Sequence, residues 1–169
     1  MTIFLPKISG FIVKKSTFLE HGLGVITNRS YKKGGLLFTV EGPIKSKGSK
    51  YSFAIGLNQH IEPERKKNMY NLGHYVNHSC DPNAIIQIVE KNVDTPYIKV
   101  IARRNIKTGE EITFDYASLE YEVTVNNSLC QCNTKECRRI IHGFKGLPTE
   151  VIKKYKKEGI IADYLLKIN

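Results

Sequence analysis

Seven consecutive residues in the middle of the chain, Asn77-His78-Ser79-Cys80-Asp81-Pro82-Asn83, put two amides, an imidazole, a hydroxyl, a thiol and a carboxylate side by side with no spacer. Apolar runs flank them. Buried amides and imidazoles need hydrogen-bond partners, and Pro82 fixes a turn, so this is poor core material. Any fold that contains it has to supply it with partners.

The rest of the chain reads mostly as short strands. Phe11-Ile12-Val13 lies in an alternating first strand within residues 1–20. Gly22-Leu23-Gly24 places two glycines at a turn before Val25-Ile26, a position where glycine allows positive φ or a close backbone approach. A tight hairpin turn is the plain alternative. Leu36–Val40 is rich in β-formers. Tyr51–Ile55 alternates as a half-buried strand, and Ala84–Val89 and Tyr97–Ala102 form two more, joined by a turn region over 91–96. From Pro148 the period changes. Val151, Ile152 and Tyr155 share a helical face opposite Lys153, Lys154, Lys156 and Lys157, Gly159 interrupts, and Ile160, Ile161, Tyr164, Leu165 and Ile168 continue the stripe. A packed C-terminal helix or helix pair is expected, with partner docking as the alternative.

With 169 residues the chain suffices for one domain with a real core. No apolar run is long enough to span a bilayer, and the N-terminus has no signal-peptide pattern. No membrane role is expected, and the setting expected is intracellular. There, four cysteines are free thiols or metal ligands rather than disulfides. Three form a Cys130-x-Cys132-x4-Cys137 cluster, and the fourth is Cys80. The net charge is +10, half of it in residues 129–169. A basic surface could meet nucleic acid or an acidic protein, or be a solvated face.

Two further stretches join the first: Gly109-Glu110-Glu111-Ile112-Thr113-Phe114-Asp115-Tyr116 and the cysteine trio. In this order the three resemble the SET domain of protein-lysine methyltransferases and its post-SET zinc segment. The resemblance covers about residues 10–146. Tyr70 and His74 stand where the family has glycine and arginine.

That resemblance implies a mostly β, β-clip fold of short curved sheets with a knot-like crossing, plus a C-terminal helical segment. Its expected divisions are a SET domain over 1–128, a zinc segment over 129–146 and a helical tail over 147–169. S-adenosylmethionine would be held by Gly22, Leu23, Gly24, Tyr75, Asn77, His78, Tyr116 and Leu129. Tyr51 and Tyr116 would be the catalytic tyrosines, and Tyr51, Phe53 and Tyr121 would line a lysine channel. A tyrosine at 121 points to low methylation states. Structural zinc would take Cys80, Cys130, Cys132 and Cys137, since zinc prefers four tetrahedral ligands.

The chemistry implied is methyl transfer to a lysine side chain, with a histone tail as the substrate class. At neutral pH roughly one lysine in a thousand is neutral, so the protein must supply alignment and an apolar channel that favours the free amine. Positive charge is awkward for gripping a basic tail, unless Glu110, Glu111, Glu120 and Glu122 cluster at a groove. A cytoplasmic location is implied, or a nuclear one if the protein acts in a eukaryotic cell. Other readings are a non-catalytic SET-like module binding protein or nucleic acid, and an unrelated zinc-stabilised nucleic-acid binder.

Overall fold

A computed structural model describes residues 7–8, 10–20, 22–66, 69–90, 94–123 and 129–168. In chain order the strands are β1 (Lys7–Ile8), β2 (Phe11–Lys15), β3 (Leu23–Thr27), β4 (Leu36–Val40), β5 (Ile44–Lys45), β6 (Phe53–Gly56), β7 (Gln59–Ile61), β8 (Arg65–Lys66), β9 (Met69–Tyr70), β10 (Asn77–His78), β11 (Ala84–Val89), β12 (Tyr97–Ala102) and β13 (Glu111–Phe114), followed by helix α1 (Thr149–Glu158). They form a five-stranded sheet ordered β1-β2-β3-β13-β10, two three-stranded sheets, β11-β12-β4 and β5-β7-β6, and the β8-β9 hairpin. The architecture is the expected mostly β one.

Alternation explains the sheets. In β12, Ile98, Val100 and Ala102 are buried while Tyr97 and Lys99 stand partly out. Its partner β4 buries Leu37, Phe38 and Val40. These side chains meet Phe11, Val25, Ile61 and Ile112 in one core. Burying a side chain of this size stabilises the fold by about 1.5–3 kcal/mol.

Three sequence expectations change. The strand expected over Tyr51–Ile55 begins only at Phe53, and all of Phe53, Ala54 and Ile55 are buried, so no half-exposed face exists there. The Gly-x-Gly is no turn: Leu23 and Gly24 already lie in β3, and neither glycine has a positive φ. Among the described residues the C-terminal helix is α1 alone, and the stripe beyond it returns only as a 3-10 turn at Leu165–Lys167. Gly159 takes the left-handed conformation (φ 64°) and closes α1. Beyond it the Ala162 N–H bonds to the Ser118 carbonyl at 2.9 Å, tying the chain to the turn after β13 instead of to another helical turn. Ile160, Ile161 and Leu165 are nevertheless buried. Of the expected turn over 91–96, residues 91–93 lie outside the described residues.

Candidate active site

The polar heptad finds its partners in β13. Strand β10 runs parallel to β13, with Asn77 opposite Thr113 and His78 opposite Phe114. It is the sole parallel pairing among the described strands. The buried Asn83 side chain extends the same ladder. Its Nδ2 donates to the Glu111 carbonyl (2.8 Å), and its Oδ1 accepts from the Thr113 N–H (3.0 Å). Sequence reasoning had given Asn83 no role. Its cue is an amide in a buried turn, since such an amide must be satisfied.

Glu111 organises the Gly-x-Gly side. Its buried carboxylate accepts from Ser16 Oγ (2.9 Å), Thr17 N (2.6 Å), Thr17 Oγ1 (2.9 Å) and Asn77 Nδ2 (2.7 Å). A Cβ on Gly24 would lie 2.2 Å from Glu111 Oε1, so glycine is needed there for close approach. The second amide proton of Asn77 goes to the Leu23 carbonyl at 2.8 Å. With both protons engaged, Asn77 can offer a ligand only Oδ1.

His78 joins three parts of the site. Its Nδ1 accepts from the Tyr116 N–H (3.2 Å), which leaves the proton on Nε2 to face Cys80 Sγ at 3.3 Å. Burial holds its pKa down at about 4, so the ring is neutral at pH 7. Asp115, fully buried, is shared by Arg138 Nη2 (2.8 Å), the Ala117 N–H (3.0 Å) and the Tyr155 hydroxyl (2.8 Å). A buried carboxylate without such a cation would be strongly destabilising. Sequence reasoning reads Tyr155 only as part of a packed helical face and assigns Arg138 nothing, because their shared partner comes from distant chain.

Tyr116 lies in a short turn after β13. Its hydroxyl donates to the Val76 carbonyl (3.2 Å), and its ring tilts against Phe114 at 4.9 Å. Burial, then the charges of Glu120 and Glu111, push its phenol above the ordinary tyrosine range. Phe53 stacks on Phe114 at 5.5 Å, so Phe53, Phe114 and Tyr116 make one aromatic wall. Phe114 is a member that sequence reasoning did not assign to the wall. Tyr51 stands outside it, 38% exposed against the His74 ring. Tyr121 is partly buried, with its ring 6.0 Å from Lys145 Nζ. Tyr75 packs at the core edge, Gly22 lies against Leu19, and Leu129 is 74% exposed beside its bridge to Ile140.

The four glutamates that could have lined an acidic groove do not cluster. Glu110 pairs with Arg104 at 2.6 Å, Glu122 with Lys145 at 2.7 Å, Glu111 is bonded inside, and Glu120 turns inward to the Ala54 N–H. Each is engaged by a different part of the fold, so no cluster assembles.

The cysteines do converge. The Sγ atoms of Cys80, Cys130, Cys132 and Cys137 all lie within 4.8 Å of one another, with Cys80 and Cys130 at 3.7 Å. Tetrahedral zinc with 2.3 Å bonds needs about 3.8 Å between sulfurs, so the donor set and spacing suit that ion. Burial pushes the Cys80 thiol up to about 11, and a bound dication would displace such protons.

Comparison with known proteins agrees with this geometry. The family model described as "SET domain" matches residues 22–117, more than half of the chain. The probable histone-lysine N-methyltransferase set-23 of Caenorhabditis briggsae is 30% identical over 96 residues, covering 53% of this chain and 39% of its own. Histone-lysine N-methyltransferase SUV39H1 of Xenopus laevis is 29% identical over 150 residues, covering 86% and 32%. The chain thus spans about a third of the length of these relatives. Among solved structures, KRYPTONITE in complex with mCHH DNA, H3(1-15) peptide and SAH superposes with a TM-score of 0.63 at 22% identity, covering 78% of this chain and 29% of that one. The matched region runs from the Gly-x-Gly through Asn77-His78 to Tyr116, the residues the fold has drawn together, and the chain belongs to the SET-domain family.

Proposed function

We propose that the protein is an S-adenosylmethionine-dependent protein-lysine N-methyltransferase, with a histone tail as substrate class. The observation that carries this reading is the parallel β10–β13 pairing, by which the polar heptad and Tyr116 share one site. Substrates named for the relatives, histone lysines, agree with it.

The residues present fit the cofactor. Asn77 Oδ1 is an acceptor suited to an ammonium group, and the Leu23–Gly24 backbone runs beside it. His78 and Tyr75 flank the same region, and exposed Leu129 is an apolar cover for an adenine. When bound, the cofactor supplies an electrophilic methyl group. Tyr116 stays protonated and is a poor base, because burial raises its phenol. With its proton given to the Val76 carbonyl, its oxygen can accept from the substrate amine and aim the nitrogen lone pair. Alignment of this kind is worth about 7–11 kcal/mol. The Phe53–Phe114 wall keeps water from the amine and favours its neutral form. Tyr51, exposed against the His74 ring, would stand at the outer mouth of this channel, and Tyr121 would limit the room for methyl groups.

Cys80, Cys130, Cys132 and Cys137 would hold structural zinc, fastening residues 129–146 over the site as a lid. A basic surface on α1 is available to nucleic acid, and the cell nucleus is the compartment that matches a chromatin substrate.

The test is calorimetric titration of S-adenosylmethionine into zinc-replete protein with and without chelator, followed by transfer of labelled methyl to histone peptides. Binding that weakens on chelation, with lysine labelling, is the expected result. Absence of cofactor binding in both states would leave a binding module on a SET fold.

A further inference from the structure

Two carboxylates lie close to Tyr116, and the fold treats them in opposite ways. Glu111 is surrounded by donors from Ser16, Thr17 and Asn77 and is used up internally. Glu120 is also largely withdrawn from water, yet among the described residues its carboxylate accepts one hydrogen bond, from the Ala54 N–H at 3.2 Å, and meets no cation. A carboxylate so poorly supplied destabilises the protein that carries it. Its backbone is nonetheless held on both sides. The Glu120 N–H donates to the Tyr116 carbonyl at 2.8 Å, and the Glu120 carbonyl accepts from the Phe144 N–H at 2.7 Å.

The surroundings say what it awaits. Ala54 directly follows Phe53, the outer ring of the aromatic wall on Phe114 and Tyr116. From the turn after β13 comes the Tyr116 hydroxyl, and from the C-terminal segment the Tyr164 hydroxyl, which donates to the Leu119 carbonyl. Burial first, and then the Glu120 charge, keep both phenols protonated. Strand β6 contributes a backbone N–H. A positive charge is what these elements leave out, and a lysine ammonium is the cation that a channel on this wall would admit.

We propose that Glu120 is the proton acceptor for the substrate lysine, pairing with the incoming ammonium and taking one proton from it. The inference rests on the lysine-methyltransferase reading. In the step, an N–H bond of the ammonium breaks and an O–H bond forms on Glu120. The freed lone pair can then form the N–C bond while the C–S bond of the sulfonium donor breaks, its electron pair going to sulfur. In water the two groups differ by about six pKa units, against this transfer. Burial narrows the gap from both sides, since it pushes Glu120 up to about 7 and lowers an amine in the same surroundings.

The experiment uses the zinc-replete full chain and its Glu120→Gln variant, which keeps an acceptor for Ala54. Equal S-adenosylmethionine affinity by calorimetry checks that both are folded. kcat/KM for a histone H3 tail peptide is then followed from about pH 6 to 10. Wild type should rise to about pH 7 and level off. The variant must draw neutral amine from solution, so it should fall about 100-fold near pH 7.5 and recover with unit slope toward pH 10. A loss equal at every pH, or no loss, overturns the proposal. A second measurement works without turnover: n-butylammonium titrated by NMR in the presence of S-adenosylhomocysteine. Binding to wild type, weakened about tenfold or more in the variant, is expected; equal binding, or none to wild type, overturns the proposal. Glu120-dependent binding without methyl transfer would sink the enzyme reading and leave this site standing.

Discussion

The Tyr155 hydroxyl donates to Oδ2 of Asp115 at 2.8 Å, so helix α1 is hydrogen-bonded to the residue that precedes Tyr116. The Cys80 carbonyl lies 3.2 Å from the same hydroxyl, and Arg138, next to Cys137, grips the same carboxylate. One buried acid therefore joins the helix, the cysteine segment and the tyrosine turn.

Tyr155→Phe should cost about 1–2 kcal/mol, because Asp115 keeps Arg138 and Ala117 but loses one donor inside the protein. Urea unfolding measures it. A change below about 0.3 kcal/mol would mean that the helix is braced by packing alone.

Tyr116→Phe should bind S-adenosylmethionine about as well as wild type and lose most methyl transfer, roughly 100-fold or more. Its hydroxyl donates to the Val76 carbonyl, its one hydrogen bond among the described residues, so folding should be little affected. Wild-type turnover in a labelled-methyl assay would remove Tyr116 from the mechanism.

Gly24→Ala should disturb the cofactor cradle from beneath. The new Cβ meets Glu111 at its Oε1, Cδ and Cγ, and that carboxylate is tethered by four donor groups. A stability loss of about 1–3 kcal/mol is expected, with weaker cofactor binding as Asn77 loses its partner. Thermal melts and calorimetry together test this.

Removal of metal by chelator, or Cys130→Ser, should release the segment around the cluster and raise the cofactor Kd at least tenfold. Zinc content by atomic absorption is read beside binding. A protein that arrives without zinc and binds the cofactor normally would refute the lid.

Glu120→Gln should stabilise the ligand-free protein at high pH. The folded pKa of Glu120 is raised to about 7, above the unfolded value, so its carboxyl favours folding below about pH 4.5 and this is lost as pH climbs through 7. The variant escapes the loss, which amounts to roughly 3 kcal/mol. Its melting advantage should be present at pH 8 and vanish near pH 4.5. A constant advantage would show that charge is not its source.

Much of this was legible in sequence because it is local. The β11 and β12 strands declare themselves as short runs rich in β-branched residues on either side of a turn, α1 by its Tyr155 face and the glycine that ends it. The resemblance to SET domains points to Asn77, His78, Tyr116 and the cysteines by their order along the chain, and the polar heptad needs partners wherever it folds. What sequence could not contain was the assignment of partners. Tyr51 reads in sequence as part of a half-buried strand and lies ahead of it, 38% exposed, because the chain enters β6 only at Phe53. Phe114 reads only as part of the stretch over 109–116, with no role of its own, and joins the aromatic wall.

Glu111 and Glu120 make the difference sharpest. Nine positions apart, they carry the same carboxylate, and each could have faced a groove. Contacts from far along the chain decide otherwise: Ser16, Thr17 and Asn77 satisfy one, while among the described residues the other receives Ala54 alone. Residue types were written in the chain, but the solvent and the donors around each charge exist only once distant segments have packed, and those set its chemistry.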